Sequence, residues 1–307
     1  MSMATQEESQ PSLLILLTGA DHWTLEDGTQ HPTGFWAEEL IEPMRVFRDA
    51  DVEVTIATPG GVRPTVDEAS LSAEGVGGEQ RADDLREQLD ELSDQLASPV
   101  ALEEVSPDDY DGVFVPGGHG PMEDLAESDE LGQILLAMLE DDKVVAAVCH
   151  GPAALLSAIE PDGAWALAGR RLAGFTNDEE TQAGLAENAP WLLEDRMREA
   201  GGEMESGPAW QPFAVVDNNV VTGQNPASSG EVAQRTVEAL AARARWIHVV
   251  PFEGAWTFKH ERGKPEGKFR TQRQAIEAAK EHGRRHGDWE LGIHGRTGRI
   301  RDAVAIH

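Results

Sequence analysis

The sequence predicts a doubly wound α/β domain with a mostly parallel sheet, followed by a small α+β module. Three observations carry this reading. Strand-length apolar runs at 13–18, 52–58, 110–115, 143–148, 170–175 and 219–223 alternate with helix-period segments at 34–50, 129–141, 151–159, 189–200 and 228–243. That is the order expected when each parallel strand is followed by a crossover helix. Runs such as LLILLT and VVAAV show no polar alternation, as expected of strands covered on both faces. Third, the charge balance breaks near Trp246: residues 1–245 hold 13 Lys and Arg against 48 Asp and Glu, whereas 246–307 hold 12 against 8.

Taken in order, residues 1–12 are polar and acidic and predict a disordered N-terminus. They lack the basic start and apolar stretch of a secretory signal, and no run in the chain has the length of a membrane span, so a cytoplasmic location is expected. Residues 13–245 then form one large domain. Its insertion at 73–105 is strongly acidic, and within 82–96 the leucines at 85, 89, 92 and 96 follow a helical period. An amphipathic helix packed on the domain accounts for the stripe, with a dimer contact or lid as the alternatives. The net charge of −31 repels polyanions and anionic lipid, which argues against nucleic-acid or membrane binding by the large domain.

Residues 246–307 read as ββαββ: a hairpin in WIHVVPFEGAWTFKHE turning at Glu253-Gly254, a helix with Thr271 as N-cap, and a second hairpin around GRTGR. The basic surface of this module suits either docking onto acidic surface or an anion.

The chemistry centres on the single cysteine, Cys149, in KVVAAVCHGPAALLSAI. A buried strand ending at Val148 and a helix starting at Pro152 make it the corner of a strand-turn-helix elbow. Such a corner holds its side chain above the sheet edge, and the N–H groups of the helix start favour thiolate over thiol. One cysteine cannot form an internal disulfide, which leaves the thiol free for chemistry. His150 follows directly and needs a carboxylate to orient it. Asp178, Glu179 and Glu180 in AGFTNDEET all qualify on spacing.

The loop VFVPGGHGPMEDL after the run at 110–115 supplies Gly117 and Gly118, where backbone can approach a ligand closely. The N–H of Gly118 pairs naturally with that of His150 as an oxyanion hole, and Gly151 belongs to the same substrate-binding group. His119 in that loop has no assigned role. In HPTGFWAEELIEP, Glu39 shares a helix face with Phe35, whereas Glu38 points about 100° away. A carboxyl beside a thiol in a poorly solvated pocket holds its proton tightly and can move it between substrate carbons. No paired Cys or HExxH spacing predicts a metal site.

TGFWAEELIEP, ATPGG, PGGHG, AAVCHGPAALL, AGFTNDEE and VVTGQNPAS occur in that order over 13–243. On these motifs the chain resembles the ThiJ/PfpI superfamily, within the flavodoxin-like, class I glutamine amidotransferase-like fold. It looks most like the branch of glutathione-independent glyoxalases and stress chaperones. The resemblance implies a Cys149, His150, Glu180 triad with Glu39 as the acid partner of the cysteine. It also implies conversion of methylglyoxal or related 2-oxoaldehydes to 2-hydroxy acids without a cofactor, and a homodimer. Protein deglycation, a holding chaperone and a cysteine oxidation sensor are the competing readings. The tail resembles a small bacterial module of unknown function with an HVVP start and an HGRxGRI-like hairpin.

Overall fold

The computed structural model describes residues 10–243, 246–260, 265–286, 289–296 and 300–306. The chain divides into two compact units, one spanning 12–237 and the other containing 238–307. The expectation of disorder at 1–12 falls mostly on residues outside the described ones, and Ser12 itself begins a strand.

The large unit is built on a seven-stranded sheet. Its strands are β1 (Ser12–Leu16), β2 (Glu53–Thr58), β3 (Val100–Ala101), β4 (Gly112–Val115), β5 (Val144–Val148), β6 (Ala214–Asp217) and β7 (Val220–Gly223). They lie in the order β6-β7-β5-β4-β1-β2-β3, and every pairing is parallel except β6 with β7. The strand order reverses at β1, where Ile15 sits between Ile56 and Phe114. At such a switch point the loops leaving the two central strands diverge and open a crevice at the carboxyl edge. Leu13, Leu14, Ile15, Leu16, Val145, Ala146 and Ala147 are fully buried, which explains why these runs lack polar alternation. A doubly wound, mostly parallel fold is therefore the observed architecture.

Helices α1 (Ala37–Asp49), α2 (Glu79–Glu91), α3 (Asp129–Glu140), α4 (Asn177–Ala183), α5 (Leu193–Glu199) and α6 (Ser229–Arg243) accompany the sheet. The acidic insertion supplies α2, whose Leu85 packs with Ala37 and Ile41 of α1 and with Leu71. The leucine stripe is interrupted at Leu92, where the backbone leaves the helix at φ −90° and ψ 0°, and Leu96 is buried from a separate short helix. The insertion thus packs on the outer side of α1.

Two segments depart from the sequence reading. The apolar run at 170–175 contributes only Arg171–Leu172 to a ladder, paired with Glu203–Met204 outside the main sheet. The rest is buried but irregular, because Ala173 N–H donates to the Thr222 hydroxyl and Phe175 N–H to the Cys149 carbonyl. Antiparallel β6 had no separate signal in the sequence. Its partner β7 follows across a tight turn at Asp217, Asn218 and Asn219, with Asn218 at φ 53°.

The C-terminal unit contains β8 (Trp246–Phe252), β9 (Ala255–His260), β10 (Glu266–Phe269), α7 (Gln272–His286), β11 (Trp289–His294) and β12 (Ile300–Ile306). Their sheet order is β10-β9-β8-β11-β12. The order is βββαββ, not ββαββ, because the polar edge strand EGKF pairs with β9 across an irregular register. The first turn is as expected, with Glu253 at φ 46° and Gly254 at φ 75°. Thr271 caps α7 by accepting from the Gln274 N–H at 3.3 Å. β11 and β12 pair antiparallel, while part of the turn expected at GRTGR, residues 297–299, lies outside the described residues.

Candidate active site

The site forms where the loops after β1, β4 and β5 meet. Two of these loops are tied together by Asp124, whose carboxylate accepts from the Thr18 hydroxyl at 2.8 Å and from the N–H groups of Gly19 and Ala20 at 2.7 and 3.1 Å. Cys149 stands directly after β5 with φ 60°, a left-handed conformation that costs a non-glycine residue about 1–2 kcal/mol. The expected elbow is present, although the helix that follows, Gly151–Ser157, is a buried 3₁₀ helix.

The thiol does not have the expected electrostatics. Cys149 is 3% exposed, and burial, followed by the neighbouring Glu39 carboxylate, pushes its proton affinity well above the ordinary thiol range. The N–H groups of His150 and Gly118 point at the sulfur and act in the opposite direction without prevailing. The sequence reading weighed the helix-start dipoles but did not register how deeply the corner is buried, and desolvation penalises an anion more than two N–H dipoles offset.

Glu39 is fully buried on the inward face of α1. One oxygen, Oε2, accepts from Gly117 N–H at 2.6 Å, and the other, Oε1, has no hydrogen-bond partner in the protein. Burial pushes this carboxyl up to about 8, with the Gly117 N–H and the Cys149 thiol pulling weakly the other way. Thiol and carboxyl therefore titrate as a coupled pair that keeps at least one proton near neutrality. Glu38, as expected, turns away and pairs with Arg81 of α2.

The imidazole of His150 bridges the sulfur and a second carboxylate. Nδ1 lies 3.4 Å from Cys149 Sγ, and Nε2 lies 2.6 Å from Glu180 Oε2. Burial, then the neighbouring His119, lowers the proton affinity of His150, so it is neutral at pH 7, with Nε2–H donating to Glu180 and Nδ1 open toward the thiol. Burial works to raise Glu180, but His150 and His119 overcome it and hold this carboxyl well below the usual carboxylate range.

Local folding distinguishes Glu180 from its acidic neighbours. Thr176 caps α4 in a capping box with Glu179. The remaining Glu179 oxygen accepts from Trp210 N–H and from the amides of Gln224 and Asn225 at 2.8–3.1 Å. Asp178 is exposed and bonded to Gln182. Only Glu180 faces the imidazole.

Of the glycines, Gly118 has φ +83°, and a Cβ there would come within 2.3 Å of the Gly34 carbonyl oxygen. Gly117 gives its N–H to Glu39 rather than to an oxyanion, and a Cβ on it would meet His150 N at 2.6 Å. Gly151 approaches the Val115 carbonyl closely and serves packing. The donor pair aimed at the sulfur is thus His150 and Gly118.

His119, unassigned from sequence, donates from Nε2 to Glu180 Oε1 at 2.9 Å and stacks between Trp23 and His150, with ring centroids 5.0 and 4.1 Å away. Its only signal was membership of the PGGHG loop.

The profile of the DJ-1/PfpI family matches residues 32–239. The chain belongs to this family. Residues 247–304 match a second profile, described as an uncharacterized protein conserved in bacteria. Among DJ-1/PfpI relatives, the glutathione-independent glyoxalase HSP31 of Saccharomyces cerevisiae is 30% identical over 236 residues, covering 74% of this chain and 97% of the relative. The protein/nucleic acid deglycase HchA of Staphylococcus aureus is 28% identical over 247 residues, covering 74% and 79%. The crystal structure of glyoxalase III from Candida albicans superposes with a TM-score of 0.62 at 25% identity, over 75% of this chain and 97% of that one. Among the described residues no helix is long and apolar enough to cross a membrane.

Proposed function

We propose that the DJ-1/PfpI unit is a glutathione-independent glyoxalase that converts methylglyoxal and related 2-oxoaldehydes to 2-hydroxy acids through a hemithioacetal on Cys149. The observation that carries this reading is the buried Glu39 carboxyl beside the Cys149 thiol, anchored through Oε2 to the Gly117 N–H. Names of relatives such as HSP31 and Candida Glyoxalase 3 support it.

Chemically, His150 Nδ1 takes the thiol proton as sulfur bonds to the aldehyde carbon, and returns it to the new hydroxyl. The N–H groups of His150 and Gly118 stabilise charge on that oxygen. Glu39 carboxylate then removes the proton from the former aldehyde carbon, giving an enediolate, and delivers it to the adjacent carbon while His150 carries the proton of the first hydroxyl to the neighbouring oxygen. The product is a thioester of the 2-hydroxy acid. Water activated by His150 cleaves it and restores the thiol, so the net change is addition of one water. Glu180 holds the imidazole with Nδ1 toward sulfur, and no external cofactor takes part in this scheme.

Deep burial of the trio, with Cys149 at 3%, His150 at 1% and Glu39 at 0% exposure, favours a small free dicarbonyl over an adduct on a protein surface. The same burial argues against an oxidation sensor, which needs a thiol open to the oxidant. The test is lactate formation from methylglyoxal by the purified full chain without glutathione, compared with release from a preformed protein adduct. Lactate from the adduct alone would transfer the assignment to deglycation.

The proposal also fixes a pH profile. Proton abstraction needs Glu39 ionised, and that carboxyl is pushed up to about 8, so kcat/KM is expected to rise about tenfold per pH unit below this value and to level off above it. A profile flat between pH 6 and 9 would remove Glu39 as the base.

A further inference from the structure

The C-terminal unit is organised around a small core. Among the described residues its buried apolar cluster comprises Ile247, Val249, Phe258, Ala275, Ala279, Leu291, Ile293 and Ile306, with Trp256, Phe269, Ile276 and Trp289 partly buried against it. Modules of about 60 residues commonly rely on disulfides or a bound metal to supplement a core of this size. The chain's one cysteine is Cys149, so a disulfide within this unit is excluded.

Three metal-ligating side chains from three different elements converge in this unit: His260 at the end of β9, Glu266 at the start of β10, and His282 within α7. The Nε2 atoms of the two histidines are 2.9 Å apart, Glu266 Oε1 lies 3.4 Å from His260 Nε2, and Glu266 Oε2 lies 3.6 Å from His282 Nδ1. One ligand atom from each residue falls within 4.8 Å of the others. Tetrahedral zinc with bonds of about 2.0–2.1 Å sets its ligand atoms roughly 3.3 Å apart, so only small side-chain shifts separate this arrangement from a coordinated one. Both rings are backed by aromatic side chains, His260 by Trp289 at 4.7 Å and His282 by Phe258 at 5.4 Å. The three side chains are 20–33% exposed, which gives a cation access and leaves room for water as a fourth ligand.

We propose that His260, Glu266 and His282 bind one divalent cation of the zinc class, clipping β9, β10 and α7 together. Two imidazoles select zinc, cobalt or nickel over calcium and magnesium, which prefer all-oxygen sets. The site was invisible in sequence because its ligands are 6 and 16 residues apart and come from two strands and a helix, a spacing that matches no local motif.

The test is titration of the chelator-stripped full chain with Co(II), followed by its ligand-field absorption, and with Zn(II) by calorimetry. The expected result is one equivalent per chain that Glu266→Gln and His282→Asn each weaken by more than the ~10–100-fold typical of an outer-sphere change. His119, His150 and Glu180 in the other unit also bring ligand atoms within 4.8 Å, so a His119→Gln variant is titrated in parallel and should keep the equivalent. Circular dichroism checks each fold; should His282→Asn unfold, the near-isosteric Glu266→Gln decides. No binding by the wild type, wild-type affinity in a folded Glu266→Gln, or loss of the equivalent in His119→Gln would each overturn the proposal.

Discussion

Cys149→Ala is expected to reduce lactate formation from methylglyoxal by at least ~10³-fold, since removing a nucleophile eliminates most of what the surrounding groups achieve together. His150, Glu180, Glu39 and the paired N–H groups all remain, so the experiment isolates covalent capture. The backbone corner at φ 60° is as strained with alanine as with cysteine, and the unfolding midpoint should therefore move little. Suppression of client aggregation is the useful second readout. A chaperone activity carried by apolar surface would survive this substitution, whereas loss of both activities would tie them to the thiol. Robust turnover by the alanine variant would end the hemithioacetal scheme.

How far the sequence leads toward this site depends on what kind of physics decides each feature. β1 and β5 are readable because burial on both faces demands unbroken apolar runs, and LLIL and VVAAV carry that demand locally. The same criterion misreads 170–175, where the short apolar stretch after Arg170 and Arg171 is held by the Thr222 hydroxyl and the Cys149 carbonyl instead of by a ladder. The inward turn of Glu39 and the outward turn of Glu38 toward Arg81 follow from helix geometry, although Phe35 lies before the helix in a bridge with Val66 and the shared helix face expected of the pair does not form. Glu180 is not legible locally, because three acids in succession have equal claims until the capping box turns Glu179 aside and leaves Asp178 in solvent. The proton affinity of Cys149 is the least accessible quantity. A helix start and a glycine loop indicate stabilising dipoles, but desolvation and the Glu39 charge depend on three-dimensional depth and outweigh them.

Glu39→Gln should separate catalysis from stability in opposite directions. Its amide oxygen can still accept from Gly117 N–H, where Glu39 now bonds at 2.6 Å, but the side chain can no longer take a proton. Loss of a general base of this kind costs about 10²–10⁴ in kcat. Stability should move the other way. The carboxyl rises from an ordinary 4.5 to about 8 in the folded chain, so between these values the native state binds more protons than the unfolded state. Wild-type stability therefore falls as pH rises across that window, by up to ~5 kcal/mol when it is complete. Glutamine has no such titration. Relative to wild type, the variant should gain stability progressively from pH 4.5 to above 8, measured as the difference in urea midpoints at the two ends. A pH-independent difference would mean that the carboxyl is solvated or paired when ionised, and the raised proton affinity on which its role as a carbon base depends would be absent.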